Sequence, residues 1–510
     1  MKKTLASIGM LAAAAFLLYR KSLRLYWTYD SPLLLHRAVE RDWNWEVFIP
    51  DTLQYLFTPL LALTDEAFLA LFGLEPWRWY LAQLVIVALV AIALFAVLRL
   101  YVATPAAASG ALLFLLGPPV ATAASSLYLV HYFEAILFGA LAALCFVLAL
   151  RRGSLVFSTL SALCYLAAIS GKEIAVPLPL VLFLLPEGNW RKRARHLIGH
   201  AAALGLYAGW RLFVVKLPLI AYGWTTTFSD LATVPWRLVA TAAGASLVAG
   251  LLAIALMLAG AAPALRSRVA IIAFFCAIAP ILPVSAEMQD RFTLAFWVWL
   301  SCAFAIGVRR PALIAATIVV ALIANRQQWT EEFTRNKRMS DEAYVWVHER
   351  GDVLLRNPAI PAGTMPELEW MKEELFHHAK GARWFYDDIY LCLHSLEGRR
   401  ILEYNPRTRR VEEVHPVCAP YRTDVPLTVE FEQRGAATHW RFGPYRDGEW
   451  RVIAFEGEHA WDVPREGGYV MGSIILRDLR VRYRSPEGWV TYSDPMQLDF
   501  ARQRQVTWRR

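Results

Sequence analysis

Charge is what this chain has little of. Only 19% of its 510 residues are Asp, Glu, Lys or Arg, against 57% hydrophobic residues and a mean hydropathy of +0.37. An ordinary soluble domain carries about 25% charged residues, so this balance excludes a water-soluble globular fold and leaves an integral membrane protein. There is also no basic patch interleaved with stacking aromatics. The net charge of +9 therefore does not point to nucleic acid; its Lys and Arg sit in short clusters between apolar runs, where orientation in a membrane accounts for them. No small-residue cleavage site follows the first apolar run. Lys2 and Lys3 precede Leu5 to Leu18, and the sequence then reads Tyr19-Arg20-Lys21, so the first segment is expected to stay as an anchor. Cysteines number six. Cys145, Cys164, Cys276 and Cys302 fall in apolar segments and read as small buried hydrophobes. Cys392 and Cys418 lie in the polar C-terminal third, where either a disulfide in an oxidising compartment or two free thiols is open. Internal repeats and low-complexity segments are missing too.

What is present is a series of apolar runs long enough, or nearly so, to span a bilayer. They start after Lys3, Trp77, Thr104, His131, Ser154, Ile174, Leu197, Trp236, Val269, Phe292 and Pro311, which makes about eleven. Alternate gaps carry the cations: Lys2 and Lys3; Arg99; Arg151 and Arg152; Arg191, Lys192, Arg193 and Arg195; Arg266 and Arg268; Arg309 and Arg310. The positive-inside rule then puts the N-terminus in the cytoplasm. Arg20, Lys21 and Arg24 break the pattern at the outer end of the first segment and read as head-group or phosphate contacts.

An odd number of spans places the chain after Asn325 outside. From Arg326 to Arg510 no run could cross a membrane, and the pattern changes to short alternating blocks. Helices are expected from Thr330 to Glu349 and from Pro366 to Ala379. Strands are expected at Leu427 to Phe431, Trp450 to Phe455, Tyr469 to Ile475, Val481 to Tyr483 and Trp489 to Tyr492. The predicted architecture is a polytopic α-helical membrane domain over residues 1–325, followed by an outer helical lead-in and a β-sandwich-like domain over 326–510.

The segment from Trp27 to Glu75 is too polar to cross a membrane and too apolar for a plain linker. It reads as a first outer loop, residues 27–76, lying along the surface with Asp30 at the water boundary. Other ionisable groups fall at the same boundary, where charge is costly and often functional: His131 and Glu134 at the start of the fourth run, the pair Lys172-Glu173, Arg211, and Glu287 with Asp290-Arg291 before the tenth. Each has a structural alternative. Asp30 before Ser31-Pro32 suits a helix cap; Lys172 and Glu173 suit a snorkelling boundary ion pair. His131 suits an interfacial hydrogen bond, Arg211 an interface anchor, and Glu287, Asp290 and Arg291 loop solvation. Those alternatives do not foresee that all of them share one face while the inner loops hold almost only cations. In the outer domain Asp387-Asp388 suits either sugar or cation binding, or solvation at a strand start.

Four features in this order resemble a family. They are the acid just after the first run, the Phe72-Gly73-Leu74-Glu75-Pro76 turn ending the interfacial helices, Lys172-Glu173 ahead of Pro177 and Pro179, and Asp290-Arg291-Phe292 opening a late run. Over residues 1 to 325 the chain resembles the GT-C membrane glycosyltransferases, in particular protein O-mannosyltransferase-like and related bacterial enzymes. The resemblance implies an inverting glycosyltransferase in the bacterial inner membrane. Its donor would be a polyprenyl-phosphate sugar and its acceptor a glycan or protein on the periplasmic face. By motif position Asp30 becomes the catalytic base. Arg211, Lys172 and Arg291 become contacts to the donor phosphate, with His131, Glu134, Glu173, Glu287 and Asp290 on the acceptor side or behind these groups. Asp30 is followed by Ser31 where many relatives have a second acid, and the late step reads Gln289-Asp290-Arg291-Phe292 where they have Glu-Arg-Tyr, so a divalent metal is not expected. A transporter or flippase of polyprenyl-linked glycans is the rival reading. It would place charges near the midplane in repeated halves, whereas here they cluster at one boundary. A non-catalytic scaffold presenting the outer domain is the third.

Overall fold

The computed structural model describes residues 2–41, 43, 45–48, 57–216, 228–282, 288–351, 353–378, 383–393, 399–415, 418–434, 437–470, 476–498 and 504–510. The chain divides into two compact units, Met1–Lys337 and Arg338–Arg510.

The first unit is helical. Its helices are α1 (Lys2–Tyr19), α2 (Ser31–Arg41), α3 (Pro59–Phe72), α4 (Pro76–Leu98), α5 (Thr104–Leu115), α6 (Pro118–Ala124), α7 (Val130–Arg152), α8 (Leu155–Gly171), α9 (Leu178–Phe183), α10 (Trp190–Gly209), α11 (Phe228–Ala243), α12 (Leu247–Ala261), α13 (Arg268–Ile278), α14 (Leu294–Gly307) and the greater part of α15 (Pro311–His348), whose last residues belong to the second unit. Each apolar run of the sequence holds a helix, but fewer are long enough to span. Among the described residues five helices are long and apolar enough to cross a membrane, or seven if each of two bent pairs counts as one span. The chain is a multi-pass membrane protein. The shortfall from eleven has local causes. Glu173 to Phe183 covers about 16 Å at 1.5 Å per residue, because Pro177 and Pro179 interrupt the ladder of N–H donors.

Both bent pairs free backbone groups that lipid cannot satisfy, and the fold supplies partners for them. Between α5 and α6 the chain bends by 57° at Leu116-Gly117, ahead of Pro118 and Pro119. Trp297 Nε1 donates to Leu113 O at 2.9 Å, Tyr19 Oη to Leu115 O at 2.5 Å, and Asn325 Nδ2 to Tyr19 Oη at 2.8 Å. Gly117 cannot be larger here, since a Cβ would lie 2.2 Å from Trp297 Nε1. Between α11 and α12 the bend is 106°. Gly244 turns there with φ +73°, the Ala245 N–H donates to Gln328 Oε1 at 2.5 Å, and a Cβ on Gly250 would lie 2.0 Å from Ala243 O. The run expected as a single span after Trp236 is therefore two helices.

The sequence suggested a span ending near Asn325 and a separate helix from Thr330. Instead α15 is one helix of 38 residues, about 57 Å long. No Gly or Pro occurs between Ala312 and Arg350 to stop it.

The second unit opens with a mixed sheet. Its strands are β1 (Val353–Arg356), β2 (Arg383–Phe385), β3 (Arg400–Asn405) and β4 (Arg410–Glu413), in the order β2-β1-β3-β4, with β1 parallel to both neighbours. Parallel pairing of this kind was not foreseen, because these strands lack the alternation that marks a half-solvated strand. The helix α16 (Met365–Trp370) lies between β1 and β2, and α17 (Ile389–Leu393) between β2 and β3. Two antiparallel sheets follow. One joins β7 (Glu449–Ala454), β8 (His459–Val463), β10 (Leu476–Arg484) and β11 (Val490–Tyr492), with β12 (Met496–Leu498) paired to β10. The other has the order β13-β5-β6-β9, from β5 (Thr428–Arg434), β6 (Ala437–Gly443), β9 (Glu466–Val470) and β13 (Gln505–Arg509). Leu427, Val429, Phe431 and Phe442 meet Trp450, Val452, Leu479 and Val481 in one core. That is a β-sandwich. Of the expected strand from Tyr469 to Ile475, residues 471–475 lie outside the described residues.

Two further expectations meet the second unit. Cys392 and Cys418 are joined in a disulfide with Cα atoms 5.7 Å apart. Neither Asp387 nor Asp388 is a solvated strand start. Asp387 is buried against Arg482, with Arg451 Nη1 at 3.7 Å and the Ile389 N–H donating at 3.0 Å. Arg356 holds Asp388 through two nitrogens at 2.8 and 2.9 Å.

Candidate active site

Asp30 stands at the start of α2 and is exposed. The chain arrives from a 3-10 turn, Arg20–Arg24, through the buried Trp27, which packs edge-on to Trp79 of α4 at 5.0 Å. The helix start is closed by its neighbours: Thr28 N–H donates to Ser31 Oγ at 3.1 Å, and Ser31 N–H to Thr28 O at 3.1 Å. Among the described residues the Asp30 carboxylate makes no hydrogen bond. The helix therefore begins without using it as a cap. The surrounding protein raises the Asp30 carboxyl above the usual aspartate range, opposed by the positive charges of Arg291 and Arg37.

Arg291 arrives from a distant part of the chain. It sits in the 3-10 turn Asp290–Thr293 that leads into α14. Its Nη1 donates to the Tyr128 hydroxyl at 3.1 Å, and the guanidinium lies 5.8 Å from the Tyr128 ring and 5.2 Å from that of Phe292. Tyr128 also meets the ring of Tyr29 at 5.6 Å. The charges of Asp30 and Arg291 both act on this tyrosine. Asp290 faces the other way and accepts from Gln328 Nε2 at 2.8 Å and Thr122 Oγ1 at 3.2 Å. Burial raises the Asp290 carboxyl, and these two donors oppose the rise. Gln328 belongs to α15, whose Arg335 pairs with Glu332 at 2.5 Å and stands 5.9 Å from the Tyr29 ring.

A second group forms where α8, the following turn and the end of α10 meet. Arg211, 1% exposed, donates to Glu173 Oε1 at 2.7 Å and to the Tyr207 hydroxyl at 3.2 Å. Lys172 Nζ is 3.7 Å from Glu173 Oε2 and 5.4 Å from the Tyr132 ring. His131 is buried, its ring tilted by 41° against that of Tyr132 at 4.7 Å, and within electrostatic reach of both Lys172 and Arg291.

Glu134 belongs to a third set. It accepts from Thr64 of α3 and is buried near Asp65 and Glu66, the latter paired with Arg41 at 3.2 Å. Burial holds the Asp65 carboxyl well above its usual range, Arg41 opposes this, and the negative charges of Glu134 and Glu66 add to it. Glu287 lies outside the described residues. Among the described residues no group of three or more His, Cys, Asp and Glu is gathered as a metal site.

Sequence reasoning missed Tyr128, Gln328, Glu332 and Arg335. The last three carried a signal. They recur at i, i+4 and i+7, one face of a helix, directly after an apolar run.

No protein-family model matches the chain, and no curated protein matches it. Two solved structures are similar to it in outline. ArnT from Cupriavidus metallidurans, crystallised with undecaprenyl phosphate bound, is 14% identical with a TM-score of 0.49, over 79% of this chain and 93% of that one. The Archaeoglobus fulgidus oligosaccharyltransferase, tethered to an acceptor peptide containing the NVT sequon, is 11% identical with a TM-score of 0.40. That match covers 68% of this chain and 57% of the oligosaccharyltransferase. At such identities and scores neither likeness assigns a family.

Proposed function

We propose that this chain is an inverting glycosyltransferase of the bacterial inner membrane. It moves a sugar from a polyprenyl-phosphate donor to a glycan or protein hydroxyl on the outer, periplasmic face. The observation that carries this reading is the exposed Asp30 carboxylate, free of hydrogen bonds among the described residues and opposed by Arg291 across Tyr128. An acid and a cation so placed suit the two charge changes of glycosyl transfer. Asp30 takes the proton of the acceptor hydroxyl as its oxygen attacks the anomeric carbon from the face opposite the phosphate. The bond from that carbon to the phosphate oxygen breaks, and the lipid phosphate leaves with the electron pair. Arg291 stabilises the charge that builds there.

Lys172 is the next candidate at the phosphate, since its side chain keeps 14% exposure. Arg211, committed to Glu173 and Tyr207, acts from behind by holding Glu173 beside Lys172. His131 feels the charge of both cationic groups. Asp290 fixes the turn that aims Arg291, through Gln328 and Thr122.

The test is donor kinetics in membranes supplied with labelled polyprenyl-phosphate sugars. Arg291→Gln is expected to lower kcat/KM by roughly 10²- to 10³-fold, the usual cost of one lost donor to developing charge. Arg291→Lys, which keeps the charge, recovers part of it. Equal rates for Arg291→Gln and wild type would overturn the assignment.

A further inference from the structure

The cations that break the positive-inside pattern line a cleft of their own. Phe16, Arg20, Lys21, Leu23 and Arg24 surround a space of about 400 Å3 at the end of α1. Lys21 and Arg24 are three apart in a 3-10 turn, so they point from one side, one above the other. All three cations are exposed, and among the described residues none forms an ion pair or a hydrogen bond to an acid. Lys21 Nζ stands 5.8 Å from the ring of Phe333 on α15. That ring stacks on Trp329 at 5.8 Å, and Trp329 packs against Tyr19 at 5.1 Å. Below the cations Phe16 is 43% and Leu17 63% exposed, on a helix apolar enough to span. The cleft therefore joins an apolar wall at bilayer depth to a cationic rim at head-group depth.

We propose that this cleft holds an anionic phospholipid of the surrounding bilayer, its phosphate between Arg20, Lys21 and Arg24 and its upper acyl chain along Phe16 and Leu23. Charge complementarity argues for it. Three unpaired cations cost nothing beside a lipid phosphate, whereas on the outer side of an inner membrane they oppose the orientation set by every other basic cluster. Behind the rim, Phe333 holds Lys21 in place from the helical core. The occupant is a phospholipid of the bilayer, apart from the reaction at Asp30, and the inference stands whether or not this chain transfers sugar.

The experiment uses the full chain in detergent, mixed with vesicles of phosphatidylcholine alone, of phosphatidylcholine with phosphatidylglycerol, or of phosphatidylcholine with undecaprenyl phosphate. Lipid phosphorus retained through gel filtration and the thermal midpoint are read together. Phosphatidylglycerol is expected to be retained and to raise the midpoint of the wild type, and high salt to release it. The triple variant Arg20→Gln, Lys21→Gln, Arg24→Gln is expected to bind it roughly a hundredfold more weakly. Arg20→Lys with Arg24→Lys, which keeps every charge, should retain it and shows that substitution here leaves the fold intact. Equal effects of phosphatidylglycerol and phosphatidylcholine on the wild type would overturn the proposal. Retention of undecaprenyl phosphate alone would overturn it as well, by giving these cations to the donor lipid.

Discussion

Removing one partner of the Glu173–Arg211 pair leaves the other charge buried. Arg211 is 1% exposed and holds Glu173 at 2.7 Å, with Tyr207 as its second partner. Breaking a buried pair costs about 3–5 kcal/mol. Because Glu173 keeps 27% exposure, the lower end applies, and Glu173→Gln is expected to cost about 3 kcal/mol. Arg211→Met costs less, since Glu173 retains Lys172 at 3.7 Å. The double variant Glu173→Gln, Arg211→Met removes the most buried cation together with its partner, and Lys172 keeps the Tyr132 ring at 5.4 Å, so it should lie within about 1 kcal/mol of the wild type. Thermal unfolding of the four proteins in one detergent closes the cycle. Two costs that simply add, with the double variant the least stable, would refute the reasoning.

Two further outcomes follow from the geometry. The Asp30 carboxyl is raised above the usual aspartate range by its surroundings and held back by Arg291. A carboxylate in the proposed role accepts a proton only when ionised, so the acidic limb of kcat/KM should lie above the ordinary aspartate range, and Arg291→Gln should move it higher still. A pH profile measures this, and a limb unmoved by Arg291→Gln would count against it. The disulfide of Cys392 and Cys418 closes a loop with a sequence separation of 26. Its loss through Cys392→Ser should destabilise the second unit by about 3.5 kcal/mol on chain entropy, read as a fall of roughly 7–14 °C in the midpoint; an unchanged midpoint would show that the bond adds nothing.

The membrane character was legible because hydropathy integrates over many residues, so scattered exceptions do not disturb it. Helix positions followed for the same reason. Their lengths did not, since a run of apolar residues says little about where Pro118, Pro177 or Gly244 will turn the chain. The sandwich was legible from alternation along Leu427 to Phe431 and Trp450 to Phe455. The mixed sheet was not, because Val353 to Leu355 is buried throughout and reads like any short apolar run. Asp30, Asp290 and Arg291 were singled out by their place at the expected boundary. Tyr128 was invisible, for its role depends on the approach of Tyr29 and Arg291 from segments about 100 and 160 residues away. The partnership of Arg211 with Glu173 was equally hidden, since two charges 38 positions apart carry no sequence mark of contact.

The most direct measurement is sugar transfer by membranes containing wild type or Asp30→Asn at equal abundance, supplied with labelled polyprenyl-phosphate sugars. Asn keeps the size of the side chain, and the helix start is already closed by Thr28 and Ser31, so folding is spared while the base is lost. Transfer by the wild type that falls by at least 10²-fold in the variant is the predicted result. Equal transfer by both proteins would contradict it.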